Sequence, residues 1–304
     1  YNASHMLGFF SVFNSDALKD VKLYKGGMPA EYGGRVSSVM DVRMKNGNMK
    51  EWNVSGGLGL ISSRLTVEGP IQKDKGSIIV SGRRTYADVL AKPFLEDGFS
   101  DADLYFYDFN LKANYKIGEK DRIYLSGYLG RDVFGTDNFG FNWGNTTGTL
   151  RWNHLFSDRL FSNLTLYYSN YDYLLKFGSE SDNRFDWDAK IINYSAKPEF
   201  SFFVTPENII RFGGQAIAYK FEPGNAVGVS EGETRDISLA PKYAFEGAAY
   251  IENELEIGKP GSSFAIEVAE KMGIPPAILN KAKGKIGTER VNYDKLLNQL
   301  GKEK

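Results

Sequence analysis

The chain has 304 residues, a formal net charge of −1 and no cysteine. The balanced charge provides no overall field that would favour nucleic acid, and the lack of cysteine excludes a disulfide framework and thiolate chemistry. The 33 glycines, 18 tyrosines and 21 phenylalanines are unusual for a soluble α/β enzyme and typical of antiparallel β-structure with aromatic girdles. No apolar run reaches the roughly 18 residues of a transmembrane helix, although alternating barrel strands would escape such a search.

The first ten residues carry neither the basic region nor the apolar region of a signal peptide. The tripeptide Ser4-His5-Met6 is compatible with the remnant of an expression tag. The surrounding residues, Asn2 to His5 and Gly8 to Phe10, favour instead a native approach to the stretch that begins at Phe13.

Residues 13–44 predict a short helical turn, two strands and a glycine-rich corner between the strands. Ser15 is suited to cap a turn at 16–20, and strand-forming residues follow from Val21. Glycine and proline at 26–34 supply a corner where positive φ or a close approach is needed. A second strand is predicted to run through 36–42.

This stretch resembles the end of the plug domain of TonB-dependent outer-membrane transporters, particularly those of the Bacteroidetes type. The matching sequence motif runs from Asp20 to Val39 and follows the family's pattern at nearly every position. The resemblance implies that residues 1–48 are the C-terminal part of a plug. It also implies that the earlier plug and its TonB-binding segment would precede this sequence, and we expect them to be absent from it. The motif positions are Gly26, Gly27, Pro29, Tyr32, Gly33, Gly34 and Arg35.

From Glu51 the sequence changes to long alternating segments. The runs at 52–71 and 76–86 flank a polar turn and predict a hairpin, and their words again resemble the start of the family's barrel. Helical spacing predicts a short helix at 86–95. Seven more strand-like segments follow, at 104–117, 122–131, 145–156, 160–177, 185–204, 209–221 and 237–254.

Several of these segments exceed the five or six residues typical of globular strands and match the roughly nine to eleven that cross a membrane. Short linkers alternate with longer polar ones, around 135–144, 178–183 and 222–235. The pattern predicts that residues 49–255 form about nine strands of an outer-membrane β-barrel. A soluble β-sandwich is the alternative.

Charged residues in the motif and the first strands are candidates for ion pairs between plug and barrel, although each could equally be a solvated charge in the lumen. His154 is expected in an aromatic girdle or in the lumen. No catalytic, cofactor-binding or metal-binding residues are predicted. The candidate ion-pair residues are Arg43, Arg64, Glu68, Arg83 and Arg84, with Glu31, Arg35 and Asp41 beside them.

Residues 256–304 differ from the rest, because they turn basic and contain only two aromatic residues, Phe264 and Tyr293. Capping residues and apolar stripes predict three short helices. The words from Gly258 to Ala282 resemble the MutS family, closest to its MutS2 branch. No phosphate-binding loop accompanies them, so we expect neither ATP binding nor DNA clamping.

The sequence therefore predicts a mainly β fold, which is a partial antiparallel transmembrane β-barrel preceded by a plug fragment, with a small α-helical C-terminal tail. The expected protein is not an enzyme. It is a fragment of an outer-membrane transporter for siderophore, cobalamin or glycan, fused to a MutS-like tail and not expected to transport as written. The expected partners are the TonB energy-coupling system of the full-length parent and outer-membrane lipid, and nucleic acid is not expected. The alternatives are a DNA-repair accessory protein led by the tail, whose family is cytoplasmic, and a soluble β-rich carbohydrate-binding module.

Overall fold

The structure, a computed structural model, describes residues 4–34, 37–91, 102–178, 183–205, 208–230 and 233–255. Arg35, the end of the predicted helix at 92–95 and the predicted helical, MutS2-like tail at 256–304 lie outside the described residues. The described residues are mainly antiparallel β-structure. Among them, no helix combines the length and the apolar character needed to cross a membrane.

Residues 4–46, hereafter the N-terminal segment, form two small antiparallel pairs. The first turn is shorter than predicted, because the Asn14 side chain accepts the Asp16 N–H at 3.1 Å and the strand begins at Leu18. Asn14, rather than Ser15, is therefore the cap. The elements are β1 (Ser4–His5), β2 (Phe10–Ser11), a 3₁₀ turn (Ser15–Ala17), β3 (Leu18–Tyr24), a 3₁₀ turn (Ala30–Tyr32) and β4 (Val39–Met44), with β1 paired to β2 and β3 paired to β4.

The remaining strands form one large sheet in which neighbours in sequence are neighbours in space. The path runs from β5 to β14 without returning to β5 within the described residues, and β14 and β15 both pair with β13. The elements are β5 (Asn53–Leu58), β6 (Ser62–Gln72), β7 (Gly76–Thr85), α1 (Ala87–Ala91), β8 (Asp103–Lys116), β9 (Asp121–Thr136), β10 (Phe139–Ser157), β11 (Leu160–Phe177), β12 (Asn183–Thr205), β13 (Asn208–Ser230), β14 (Glu233–Ser238) and β15 (Lys242–Leu255).

Several segments differ from the sequence-based prediction, and the described residues of 49–255 contain eleven strands rather than about nine. The predicted loop at 222–235 is mostly strand, because β13 runs to Ser230 and β14 begins at Glu233. The run 52–71 is two strands, because the chain reverses at Gly59, whose N–H donates to the Ser62 carbonyl at 2.9 Å. The apolar and glycine residues on both sides of this reversal conceal it in the sequence. The predicted loop at 135–144 is instead mostly strand, since β9 and β10 stay paired up to Thr136 and Phe139.

The large sheet has two chemically different faces. The face that the N-terminal segment contacts is here called the inner face, and the opposite one is the outer face. In β8 the alternate residues from Phe106 to Asn114 are buried on the inner face, whereas Tyr107 and Phe109 lie exposed on the outer face. Because side chains alternate along a strand, register then assigns a face to each residue of the neighbouring strands.

On the outer face of β8 to β12, the described charged residues border an uncharged stretch. In β9 the outward charges are Asp121 and Arg131, which pair with His154 and Asp172 at the two borders of this stretch. The outward residues between these borders are uncharged. They include Ile123, Leu125, Gly127 and Leu129 in β9, Leu164, Leu166 and Tyr168 in β11, and Tyr194, Ala196, Pro198 and Phe200 in β12.

Gly47, in the link between β4 and β5, provides a test of this architecture. Its φ is +86°, and an added Cβ would lie 2.7 Å from the Ile78 carbonyl oxygen. Gly47→Ala is expected to lower the free energy of unfolding by about 1–3 kcal/mol, because strain and a backbone clash combine. The matched control Gly26→Ala has open space around its Cβ and is expected to change stability by less than about 0.5 kcal/mol. Equal unfolding midpoints for the two variants in chemical denaturation would contradict the placement of the link.

Candidate functional site

The candidate site is the polar contact between the N-terminal segment and the inner face of the sheet. Three groups of contacts form it. The first lies near β1, and the third lies at the glycine-rich corner. The second includes the first 3₁₀ turn and the link that follows β4. The partners on the sheet range from β6 to β15. One short segment therefore contacts strands from both halves of the sheet path.

His5 is the centre of the first group and is 2% exposed. Its Nδ1 lies 2.7 Å from Asp132 Oδ2, and the Met6 backbone N–H donates to Asp132 Oδ1 at 2.6 Å. Its Nε2 lies 3.1 Å from the Tyr128 hydroxyl. Gly130 leaves room for this pair of side chains, since an added Cβ there would overlap the Tyr128 hydroxyl and lie 3.1 Å from His5 Cε1.

Arg83 extends this group to the next strands. Its Nε donates to Asp108 Oδ2 at 2.7 Å, and its Nη2 donates to the Ser11 carbonyl at 2.7 Å. The guanidinium lies 4.9 Å from the centre of the Phe106 ring, which stacks on His5 with 4.2 Å between centroids. The charges, ring and backbone of β1 and β2 therefore form one connected, buried cluster.

The second group surrounds the first 3₁₀ turn. Asn14 donates to the Ser81 hydroxyl at 2.6 Å, and Thr66 donates to the same hydroxyl at 2.9 Å. Arg64 Nε lies 2.8 Å from Asp16 Oδ2. Neutral hydrogen bonds and one half-exposed ion pair thus hold the turn on β6 and β7.

Three sheet side chains hold the backbone at the end of β4 and just after it. Lys112 Nζ donates to the Met44 carbonyl at 3.0 Å. Asn114 and Ser77 both donate to the Asn46 carbonyl, at 2.9 Å and 2.7 Å. These bonds satisfy carbonyl groups where the β3–β4 pairing ends.

The glycine-rich corner folds into two tight turns. Gly27 and Gly34 adopt φ values of +58° and +76°, a region that disfavours other residues. Between them the Tyr32 N–H donates to the Pro29 carbonyl at 3.0 Å and closes a 3₁₀ turn. The Tyr32 ring also packs on Tyr24, with 5.6 Å between centroids.

The corner contacts the far half of the sheet. The Ala30 N–H donates to Glu252 Oε2 on β15 at 2.8 Å, and Lys197 Nζ on β12 lies 5.7 Å from the centre of the Tyr32 ring. The other oxygen of Glu252 lies 3.8 Å from Arg211 Nη1. The motif glycines therefore shape a loop that docks on a charged part of the inner face.

Glu31 is the titratable residue of this loop. Partial burial raises the pKa of Glu31 above its ordinary value of 4.5, and Glu199 adds to the rise through a shared hydrogen bond and its charge. The positive charges of Lys197 and Arg211 oppose the rise without cancelling it. The docked loop therefore favours the protonated form of this carboxyl group.

Among the candidate ion-pair residues, Arg64 and Arg83 join the N-terminal segment to the sheet, as described above. The other three are placed differently. Arg43 pairs with Asp41 at 3.0 Å inside the N-terminal segment, because both lie in the β3–β4 hairpin. Arg84 lies over the Tyr105 ring on the outer face, because neighbours in a strand point to opposite faces. For Glu68, the described part of the chain shows no ion pair.

Several contact residues were not predicted, namely His5, Asp108, Asp132, Glu199 and Glu252. A usable signal existed for Asp108, since β8 places a polar residue at every second position from 108 to 114. For Glu199 and Glu252 no local signal points to the corner, because the corner residues that they contact, Glu31 and Ala30, are more than 150 residues away in sequence.

Asp132 allows a direct test of the first group. Asp132→Ala removes the acceptor of both His5 and the Met6 N–H, so the free energy of unfolding is expected to fall by about 1–3 kcal/mol. Amide exchange in residues 4–12 should accelerate. Asp137→Ala, in the exposed turn between β9 and β10, is the control and should leave both quantities unchanged. Unaltered exchange in Asp132→Ala would refute the role of this carboxylate.

The Glu31 contact predicts a pH dependence. Its stabilising contribution is complete below the ordinary value of 4.5 and is lost as the pH rises through the raised pKa. Glu31→Gln stays neutral, so the corner of the variant is expected to exchange its amides more slowly than the wild type at about pH 7 and equally at about pH 4. The control is Glu51→Gln, at an exposed position outside the loop. The same pH dependence in Glu31→Gln and the wild type would contradict the assignment.

Comparison with known proteins gives matches among solved structures. No protein-family model matches the sequence, and a search of curated proteins finds no match. The copper transporter OprC matches with a TM-score of 0.59 and 12% identity, over 83% of this chain and 41% of that protein. BauA, the ferric preacinetobactin receptor from Acinetobacter baumannii, matches with a TM-score of 0.53 and 12% identity, over 83% of this chain and 46% of that protein. The chain thus spans less than half the length of either protein, and at this identity it shares their fold.

Proposed function

We propose that residues 1–255 are the end of the plug and the first part of the barrel of a TonB-dependent outer-membrane transporter. In such a protein the plug blocks the lumen until TonB, driven by the inner-membrane proton gradient, pulls on it. The cargo class is a scarce nutrient too large for porins, such as a ferric siderophore, cobalamin or a glycan. The work is gated transport and requires no bond-making residue.

The observation that carries this proposal is the uncharged stretch of the outer face between two borders of charged residues. Asp121 and Arg131 are ten residues apart in β9. At about 3.3 Å per residue they span about 33 Å along the strand, which a tilt of about 45° reduces to about 23 Å. An outer-membrane barrel has an apolar band about 25 Å tall. The spacing of the outward charges therefore fits a bilayer.

The two borders of this band have the chemistry of a membrane interface. At one border Trp152 Nε1 and His154 Nδ1 lie 2.8 Å and 2.7 Å from Asp121 Oδ1, and Phe156 packs edge-on against His154. This supports the girdle interpretation of His154, since amphipathic rings concentrate at the headgroup level. At the other border Lys190 pairs with Glu222 at 3.2 Å.

The inner face suits a plug that can be released. The N-terminal segment is held mainly by hydrogen bonds and ion pairs, and water can replace each of these. A typical hydrogen bond contributes only about 0.5–1.5 kcal/mol net, because the unbound groups are solvated instead. Docking is therefore specific, and the hydrogen-bonding and charged groups of the segment find water as a new partner when the segment leaves the sheet.

The alternatives have weaker support. A soluble carbohydrate-binding module would leave the apolar outer face in water, where Leu125 is 50% exposed and Leu150 is 41% exposed. The MutS2-like assignment and a DNA-repair role rest on residues outside the described part of the chain. Because the chain spans less than half of the two matched proteins, transport itself is proposed for the whole protein rather than for these residues alone.

A pair of adjacent substitutions tests the membrane assignment. Leu150→Arg places a charge in the middle of the outer face, and Thr149→Arg places the same charge on the inner face of the same strand. For the chain folded in lipid vesicles, Leu150→Arg is expected to lower the free energy of unfolding by about 2–4 kcal/mol. Thr149→Arg should cost clearly less. The measurement is denaturant unfolding followed by heat-modifiable electrophoresis.

The opposite ranking would overturn the proposal. In a soluble β-sandwich Leu150 would face water, so arginine there would be tolerated. The variant would then fold in buffer without lipid or detergent.

A further inference from the structure

The inner face holds a second charged cluster, which lies beside the docking contacts and is composed of cations. Lys112, Arg122 and Arg151 surround the ring of Tyr124, on the three adjacent strands β8, β9 and β10. The Arg151 guanidinium lies 4.6 Å from the ring centre, Arg122 lies 5.8 Å away and Lys112 Nζ lies 5.9 Å away. Like charges are thus held together around one aromatic ring.

Within the described residues, none of the three cations has a carboxylate within ion-pair distance. The Nε atoms of Arg122 and Arg151 are buried and have no hydrogen-bond partner there. Lys112 is 8% exposed and donates to the Met44 carbonyl, which is a neutral acceptor. Lys112 is buried and the two arginines are half-buried. Charges withdrawn from water are ordinarily paired, so this arrangement lacks its counter-charge.

The nearest inner-face carboxylates do not supply it. In the strand register Lys112 is opposite Ile79, which is opposite Glu68, so the two charges are separated by about 10 Å, or two strand spacings. Glu199 is held by Lys197 at 2.8 Å. The attraction of the Tyr124 ring for cations does not replace a negative charge, because the ring carries only a quadrupole.

The geometry favours an oxyanion as the missing group. Arg151 is directly opposite Tyr124, and Arg122 precedes that tyrosine by two residues on the same face. All three cationic groups lie within 6 Å of the centre of one ring. Guanidinium forks match carboxylate, phosphate and sulfate in particular.

We propose that Lys112, Arg122 and Arg151 form an oxyanion-binding site on the inner face. The ligand class is a phosphate, sulfate or carboxylate group, either free or carried by a larger molecule. This proposal rests on the arrangement of the three cations. If the anion is part of a transported molecule, that further step rests on the proposed function.

The test is calorimetric titration of the full chain, folded in detergent micelles, with inorganic phosphate and separately with glucose 6-phosphate at constant ionic strength in chloride. Saturable binding is expected. Arg122→Gln and Arg151→Gln should each weaken it by about tenfold or more, because each removes a charged hydrogen-bond donor. Arg151→Lys keeps the charge and should retain most of the affinity. The control Arg131→Gln alters an outer-face arginine paired with Asp172 and should stay within about twofold of the wild type.

The two ligands separate the two sources of the anion. Binding of inorganic phosphate alone assigns the site to a free ion, and comparable binding of glucose 6-phosphate assigns it to a group on a larger molecule. The inference is overturned if neither ligand binds, if both glutamine variants bind like the wild type, or if Arg131→Gln weakens binding as much as they do. Circular dichroism confirms that each variant is folded.

The outcome is independent of the membrane test. Normal insertion in the Leu150 and Thr149 experiment with no anion binding would overturn this inference alone. Anion binding by a chain that folds without lipid would instead overturn the proposed function.

Discussion

The strict alternation of side chains along the long strands is the constraint on which the rest of the structure depends. Alternate residues of β8 to β12 contribute either to the outer face, with its uncharged stretch, or to the polar inner face, and a shift by one position would exchange the two sets. The inner surface then needs partners for its buried donors and acceptors. The N-terminal segment supplies many of these, from His5 near one end of its path to Ala30 near the other.

Alternation is also the part of the fold that the sequence predicts well. It locates the long strands and their outward residues, because period two is visible wherever apolar and polar residues take turns. It does not locate the reversal at Gly59 or the ends of β9 and β10. Around Gly59 the residues are mainly glycine and apolar residues, so no apolar/polar alternation exists there that a turn could interrupt. At the ends of β9 and β10 the strands extend beyond the apolar band, so the apolar/polar alternation stops although the backbone hydrogen bonds continue.

The site is less predictable than the fold, for a physical reason. The sequence identifies Arg64 and Arg83 as charges on early strands. Only the alternation of side chains along β7 distinguishes Arg83, on the inner face, from Arg84, on the outer face. Only the structure shows that Arg43 forms its ion pair with the nearby Asp41. The corner at 26–34 is recognisable from its glycines, whereas its partner Glu252 lies 222 residues away along the chain. Such long-range contacts leave no local trace in one sequence.

The missing side chain at Gly130 has a consequence for how this architecture can change. The sheet needs no glycine there for its own pairing, since β9 is regularly paired on both sides at that point. What the bare backbone provides is room for an imidazole from another part of the chain. An added Cβ would overlap the Tyr128 hydroxyl, a partner of His5, and would leave the backbone pairing of β9 unchanged. A substitution at this position therefore acts on the contact with residues 4–6 and not on the pairing of the sheet.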